Sequence, residues 1–347
     1  MSGGVDSSVV AGLLVEQGHD VIGVHMKLHD QPAHPSSAAS DKHCCGLDDA
    51  LDARRVADRL GIPFFVMDLQ QAFRAAVMDD FVRTYRSGAT PNPCIRCNGV
   101  LKFQVLLQRA RALGASHLAT GHYAQVLPEG GLGMAADPDK DQSYFLFPVT
   151  REALRSTMFP LGGMTKPEVR AHAERLGLVT ASKPESQEVC FIPDDDHTRF
   201  VREAGADDGA GEIVHEDGRV LGAHDGFWRF TIGQRRGLNV ALGEPVYVLG
   251  IDPETRQVTV GPSERLRHAR IRATDMNWFR KPLPGEPLHA RVRHRGRLRA
   301  CSLHPLEDGR AEVRFSDPVR AAARGQAVVV YSGEAVVAGG WIDEVEV

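Results

Sequence analysis

The chain has 347 residues, 42% hydrophobic and 25% charged, with a formal net charge of −4, a composition that fits a folded globular protein of two or three domains. No apolar run approaches the roughly 18 residues that a membrane span requires, and no basic segment leads into an apolar one near Met1, so neither a membrane protein nor a secreted one is expected and a cytoplasmic location is. Six cysteines, at positions 44, 45, 94, 97, 190 and 301, are too few and too scattered for a disulfide framework, which points some of them toward catalysis or metal binding.

The first element is a cradle for an anion. Ser2-Gly3-Gly4-Val5-Asp6-Ser7-Ser8 opens an amphipathic helical run through Val15 that Gly18 closes. Adjacent glycines let backbone N–H groups converge, the helix N-terminus adds partial positive charge, and three serines supply hydroxyls. The absence of Lys sets this loop apart from the G-x-x-x-x-G-K-[ST] pattern. Such a loop normally hangs from a buried strand, so a further strand upstream of Met1 is expected, about 5–10 residues long.

Next come a strand at 20–26, a helix from Leu47 to Gly61, a strand at 63–68, a helix at about 71–86, a proline-stiffened loop at 91–93 that carries Cys94-Ile95-Arg96-Cys97, a helix from Val100 to Leu113 and a strand at 116–120. This alternation predicts an α/β, doubly wound parallel sheet with ligands at the C-terminal strand ends, where Gly121-His122-Tyr123 falls. Thr165 caps another helix, with Pro167 in its first turn. Beyond about residue 205 the pattern changes to short β segments. The expected organisation is a catalytic domain at 1–198, a small mixed central domain at 199–268 and a C-terminal β-barrel at 269–347. Between Arg265 and Cys301 there are 11 Lys and Arg against only Asp275 and Glu286, as expected of a basic face that meets a polyanion. Arg291, Arg293, Arg295, Arg297 and Arg299, at period two, would line one face of a strand.

A lone C-x-x-C is a weak signal, consistent also with a structural zinc half-site or with two incidental thiols. With Cys190, however, it supplies the thiols that sulfur handling requires, one to carry sulfur as a persulfide and one to attack it. Arg96 and Lys102 are placed to favour a thiolate.

The SGG-x-DSS order resembles the pyrophosphate loop of the N-type ATP pyrophosphatases, which form AMP and pyrophosphate while activating a carbonyl oxygen. The chain as a whole resembles the bacterial tRNA-specific 2-thiouridylases. That resemblance rests on the loop, on Asn92-Pro93-x-x-x-Cys97-Asn98, Thr120-Gly121-His122-Tyr123-Ala124, Lys140-Asp141-Gln142-Ser143-Tyr144-Phe145-Leu146, Glu185-Ser186-Gln187-Glu188-x-Cys190-Phe191-Ile192 and Thr231-Ile232-Gly233-Gln234-Arg235-Arg236-Gly237. It implies a transferase that adenylates the C2 oxygen of a wobble uridine and replaces it with sulfur. ATP would be held by Ser2, Gly3, Gly4, Val5, Asp6, Ser7, Ser8, Met26 and Gly121, with Asp6 helping to place Mg²⁺. The resemblance makes Cys97 the nucleophile and Cys190 the persulfide carrier. RNA contacts would come from Asn92, Pro93, Cys94, His122, Lys140, Asp141, Gln142, Arg293, His294 and Gln326. Cys94 stands where some members have Asp, and the Cys form resembles a branch associated with a [4Fe–4S] cluster on Cys94, Cys97 and Cys190. Both sulfur routes, a persulfide–disulfide relay and a cluster, are open at this point. The implied partners are tRNAs of the Glu, Gln and Lys types and a sulfur donor such as a cysteine desulfurase or a relay protein.

Other features carry less. His29, His34, His43, Cys44 and Cys45 read as an incidental loop group, Cys301 as a barrel-core thiol, and His197 after Asp194-Asp195-Asp196 as a solvated helix start.

Overall fold

The structure is a computed structural model, and it describes residues 1–29, 47–184, 189–192, 196–205, 209–240 and 242–346. His34, His43, Cys44, Cys45, Glu185 to Glu188, Asp194 and Asp195 lie outside the described residues. The chain folds as two compact units, one of Met1–Val77 with Cys94–Asp195, the other of Met78–Pro93 with Asp196–Val347.

The first unit begins with α1 (Val5–Glu16), β1 (Gly23–Lys27), α2 (Leu47–Leu60) and β2 (Phe64–Asp68). The strands β1 and β2 pair in parallel, Gly23 opposite Phe64, as an alternating β–α–β pattern dictates. Further on, β3 (Leu118–Ala119) pairs in parallel with β6 (Thr157–Met158), and β4 (Gln125–Leu127) forms a hairpin with β5 (Gly131–Gly133). The apolar stripe of α1, Val5, Val9, Val10 and Leu14, is buried with Val56 of α2 and with Val169 and Ala173 of α8 (Lys166–Arg175). Thr165 and Glu168 close a reciprocal capping box that fixes where α8 starts.

Two helical expectations change. The helix expected at about 71–86 is α3 (Gln70–Phe73), a π-helical stretch Arg74–Met78 and α4 (Asp79–Arg86). The Cys94–Cys97 segment, expected as a loop, is helical from its start: α5 (Pro93–Arg96) runs into a π-helix, Cys97–Leu106, and then α6 (Leu107–Ala112). Pro93 at the first helical position forfeits no intrahelical bond, which is why a proline that reads as a loop marker initiates a helix here. A short α7 (Arg151–Arg155), capped by Thr150, precedes β6.

In the second unit α4 packs on α9 (His197–Glu203), with Phe81 edge-on to Phe200 and Tyr85 stacked on His197 at 5.0 Å. His197 is therefore packed under an aromatic ring rather than solvated. A four-stranded sheet follows in the order β8 (Val220–His224), β7 (Gly211–His215), β10 (Gln257–Gly261), β9 (Tyr247–Asp252). The last six strands, β11 (Arg267–Trp278), β12 (Leu288–Arg291), β13 (Arg299–Pro305), β14 (Ala311–Arg320), β15 (Ala327–Ser332) and β16 (Ala335–Glu346), form a barrel that the β11–β16 pairing closes. Val313, Val328, Val330 and Val337 fill it, with Cys301 packed against them as expected. Burial pushes the Cys301 thiol up to about 12, which leaves it inert.

The period-two arginines do not share a strand. β12 ends at Arg291 and β13 begins at Arg299, with a turn between them in which Gly296 N–H donates to the Arg293 carbonyl at 3.0 Å. Arg291 points inward, its Nε donating to the Tyr331 hydroxyl at 3.1 Å, and Arg299 pairs with Asp317. Only Arg293, Arg295 and Arg297 stand exposed on the turn. Alternation of residue types cannot distinguish a strand from a hairpin tip when the turn glycine falls within the repeat.

Candidate active site

The glycine loop is shaped by close packing. Gly3 has φ +78°, and a Cβ there would lie 2.4 Å from the Asp49 carbonyl oxygen, so only glycine fits. Gly121 approaches from the end of β3, where a Cβ would come within 2.9 Å of the Ser7 nitrogen. Gly4 caps α1 without a side-chain hydrogen bond, and the Ser8 hydroxyl donates to the Gly4 carbonyl at 2.8 Å. Ser7 Oγ accepts from the Ser2 N–H at 3.0 Å and lies 3.2 Å from Ser2 Oγ. The helix start therefore offers backbone N–H groups and two hydroxyls to an anion, a donor set that fits the phosphates of ATP. Met26 lies on β1, half-buried.

Two residues to which the motifs assign no role anchor Asp6. The Lys166 Nζ, at the start of α8, donates to Asp6 Oδ1 at 2.7 Å, and the Tyr123 hydroxyl donates to the same oxygen at 2.9 Å. Lys166 is visible in the sequence only as a helix-start residue; the signal that would find it is an unusually buried lysine facing an acid. Lys183 similarly spans Asp49 and Asp52 of α2, at 2.7 Å to each. It thereby holds the helix whose backbone packs on Gly3.

Cys97 opens the π-helical stretch and Cys94, exposed, precedes it by one turn, while Cys97 and Cys190 are half-buried. Burial pushes the Cys97 thiol above its ordinary value, and the nearby Lys102 ammonium only partly opposes this. The expected thiolate is therefore not the resting form. Lys102 Nζ also lies 3.3 Å from His122 Nε2, and His122 Nδ1 is 2.7 Å from the Thr120 hydroxyl. Burial against Phe103 and Phe159, with Lys102 second, holds the His122 imidazole well below its usual range, so it is neutral.

Among the described residues no three His, Cys, Asp or Glu side chains come together to hold a metal ion. Cys94, Cys97 and Cys190 are accordingly not brought together as a three-ligand group in the structure.

The expected RNA contacts fall into different settings. Asp141 is buried and accepts from the Ala135 and Ser143 N–H groups and from the Ser143 hydroxyl. Its carboxylate orders a loop instead of facing a ligand, because a buried carboxylate needs internal donors. Gln142 Oε1 accepts from the Tyr123 N–H at 3.0 Å, and Lys140 lies on the same loop. In the second unit Asn92, one residue before Pro93, donates to Gln326 Oε1 at 3.3 Å, and Gln326 Nε2 donates to the Thr90 and Pro91 carbonyls. Arg293 donates to the Arg320 and Ala321 carbonyls, and His294 is half-buried beside it.

A glycine-loop nucleotide fold joined to two β domains defines a class of tRNA-modifying proteins: residues 1–194 match the tRNA methyl transferase HUP domain, 198–262 its PRC-barrel domain and 268–342 the aminomethyltransferase beta-barrel domain. Proteins named tRNA-specific 2-thiouridylase MnmA from Geobacter metallireducens and Geotalea uraniireducens are 52% and 50% identical to it, each over 99% of this chain and over 95% and 93% of their own lengths. One from Magnetococcus marinus is 47% identical over 99% of this chain and 97% of its own. The chain belongs to the tRNA-specific 2-thiouridylase MnmA family.

Proposed function

We propose that this protein is a tRNA-uridine 2-sulfurtransferase that adenylates the C2 oxygen of a wobble uridine and then replaces that oxygen with sulfur, releasing AMP and pyrophosphate. The observation that carries the reading is the pairing, within one unit, of an α1 N-terminus free of side-chain capping at Gly4 with the half-buried Cys97 beside Lys102. The first is suited to a triphosphate, the second to a thiol that must be shielded until it acts.

In this mechanism Ser2 to Ser8 hold the phosphates of ATP, with Met26 and Gly121 around the adenosine. Asp6, oriented by Lys166 and Tyr123, would help hold the Mg²⁺ that accompanies ATP, which would offset phosphate charge. Adenylation is required because a uracil carbonyl oxygen leaves poorly, whereas AMP leaves well. Asn92, Pro93 and Cys94 would face the target base, which is turned out of its stack to reach the site. His122, Lys140 and Gln142 would contact RNA, His122 as a neutral hydrogen-bonding group. Cys190 would carry sulfane sulfur from a desulfurase or relay protein. Cys97 then attacks the sulfur–sulfur bond and becomes disulfide-linked to Cys190 as sulfide passes to C2; an external reductant restores both thiols. A cytoplasmic setting, where tRNA and reductant are available, completes the proposal; no helix among the described residues is long and apolar enough to cross a membrane.

The test is nucleoside mass spectrometry of tRNA from cells lacking the gene. Loss of wobble 2-thiouridine, restored by this chain, is the expected result, and retained thiolation would overturn the assignment.

A further inference from the structure

The sulfur relay above uses Cys97 and Cys190 and leaves Cys94 without a part in it. When Cys97 displaces sulfide from a Cys190 persulfide, a Cys97–Cys190 disulfide remains that must be reduced before the next cycle. Both of its cysteines are half-buried, and burial is what pushes the Cys97 thiol up. Cys190 precedes Phe191, a buried ring that stands edge-on to Phe73 at 5.7 Å, and α3, which carries Phe73, also packs against the π-helical stretch that Cys97 opens. A bond between these two sulfurs therefore forms against α3, where a protein reductant has little access.

Cys94, by contrast, is exposed. It sits in α5, three residues before Cys97, in a helical run that continues without a break from Pro93 to Ala112. Arg96, between the two cysteines, has φ −61° and ψ −46°, which is regular helix. At this spacing the two Cα atoms stand about 5 Å apart, inside the roughly 4.4–6.8 Å that disulfides span. Their Cβ atoms, about 5–6 Å apart on neighbouring turns, must close by roughly 1 Å to bond. That movement falls on the first turn of the helix, whose N–H groups have no intrahelical partner, so it leaves the hydrogen-bond ladder intact. An exposed disulfide of this kind is readily exchanged with a reductant.

We infer that Cys94 is the resolving thiol of the sulfur relay, opening the Cys97–Cys190 disulfide from the exposed side. Its thiolate attacks the Cys97 sulfur. The Cys94–Cys97 bond forms, the Cys97–Cys190 bond breaks, and Cys190 leaves as a thiolate that takes up a proton in place of the one Cys94 gave to solvent. The exchange involves no net oxidation: the disulfide moves from a half-buried pair to one with an exposed member. A dithiol reductant then returns two electrons and two protons to Cys94 and Cys97 and is itself oxidised to a disulfide. Attack on the Cys97 sulfur, not on that of Cys190, follows from the one-turn spacing. The inference rests on the persulfide relay proposed above and adds a third thiol to it, which frees Cys190 for the next sulfur before Cys97 is reduced.

The test uses the full chain with ATP, tRNA, a cysteine desulfurase with its cysteine substrate, and a thioredoxin-type dithiol protein as reductant. Samples are acid-quenched during turnover, alkylated and digested with trypsin, whose cut after Arg96 separates Cys94 from Cys97, so that a bond between them is read as linked peptides. Wild-type protein should show that link, and Cys190→Ser protein oxidised with diamide should still form it. Cys94→Ser should accumulate the Cys97–Cys190 disulfide and should lose more of its steady-state rate than of its single-turnover rate. Dithiothreitol added between turnovers, small enough to reach the half-buried pair, should return Cys94→Ser to its own single-turnover rate. Equal losses in the two rates, or wild-type turnover with no Cys94–Cys97 link, would overturn the resolving role and leave the Cys97–Cys190 relay standing. Wild-type protein quenched in turnover with no disulfide at Cys97 at all would instead overturn the relay itself.

Discussion

Lys102 stands between two groups whose protonation it biases in the same sense, toward proton loss. It lowers both the Cys97 thiol and the His122 imidazole, while burial raises the first and lowers the second. Lys102→Met should therefore move the pH profile of Cys97 alkylation to higher pH and slow the reaction at pH 8; an unmoved profile would show that the ammonium does not reach the sulfur. For His122 the folded-state value lies below the ordinary 6.5, so the unfolded chain binds the extra proton first. Stability should fall as pH drops below about 6.5, and the slope of melting temperature against pH should flatten in His122→Asn. Cys97→Ser and Cys190→Ser should each abolish thiolation while ATP-dependent adenylation of tRNA persists, as seen by pyrophosphate release. Thiolation that survives either change would refute the assigned pair.

At the scale of elements, the first helix is readable because its loop has no other use: adjacent glycines followed by Asp-Ser-Ser are costly in a helix start unless backbone must approach something closely. The partners of Asp6 are not readable. Lys166 and Tyr123 are distant in sequence from Asp6, and only the packing of α8 on α1 and the return of the chain after β3 bring them to it. The helix carrying Cys94 and Cys97 reads as a loop because proline serves both loops and helix starts, and the arginine repeat reads as one strand because the alternation hides the turn at Gly296. That turn still makes a prediction. Replacing Arg293, Arg295 and Arg297 together by Ala should lower the salt slope of tRNA binding by about 0.7–0.9 for each phosphate left without its arginine, without altering ATP affinity. An unchanged slope would place the RNA elsewhere on the barrel. Cys94→Ser is expected to retain thiolation in part if a disulfide relay through Cys97 and Cys190 delivers the sulfur; complete loss together with loss of iron-associated visible absorbance would establish the cluster route instead.

For the whole molecule, ligand linkage should separate the two units. ATP with Mg²⁺ at 100 times its dissociation constant should stabilise the protein by about 2.7 kcal/mol, and Gly3→Val, which drives side-chain atoms into the Asp49 backbone, should remove that effect. Stabilisation by ATP in Gly3→Val would show that nucleotide binds away from this loop. The assignment of Met78–Pro93 to the second unit has a further consequence, for synthesis. The first unit is interrupted by a piece of the second, so neither unit is a continuous stretch of chain. As the ribosome extends the polypeptide, α4 emerges long before α9, and Phe81 and Tyr85 have no Phe200 or His197 to meet until the second half of the chain is made. During that interval an aromatic face stays open to water, a natural substrate for chaperones that bind nascent chains. Translation pauses before residue 196 should therefore lower the yield of soluble protein more than pauses placed after α9.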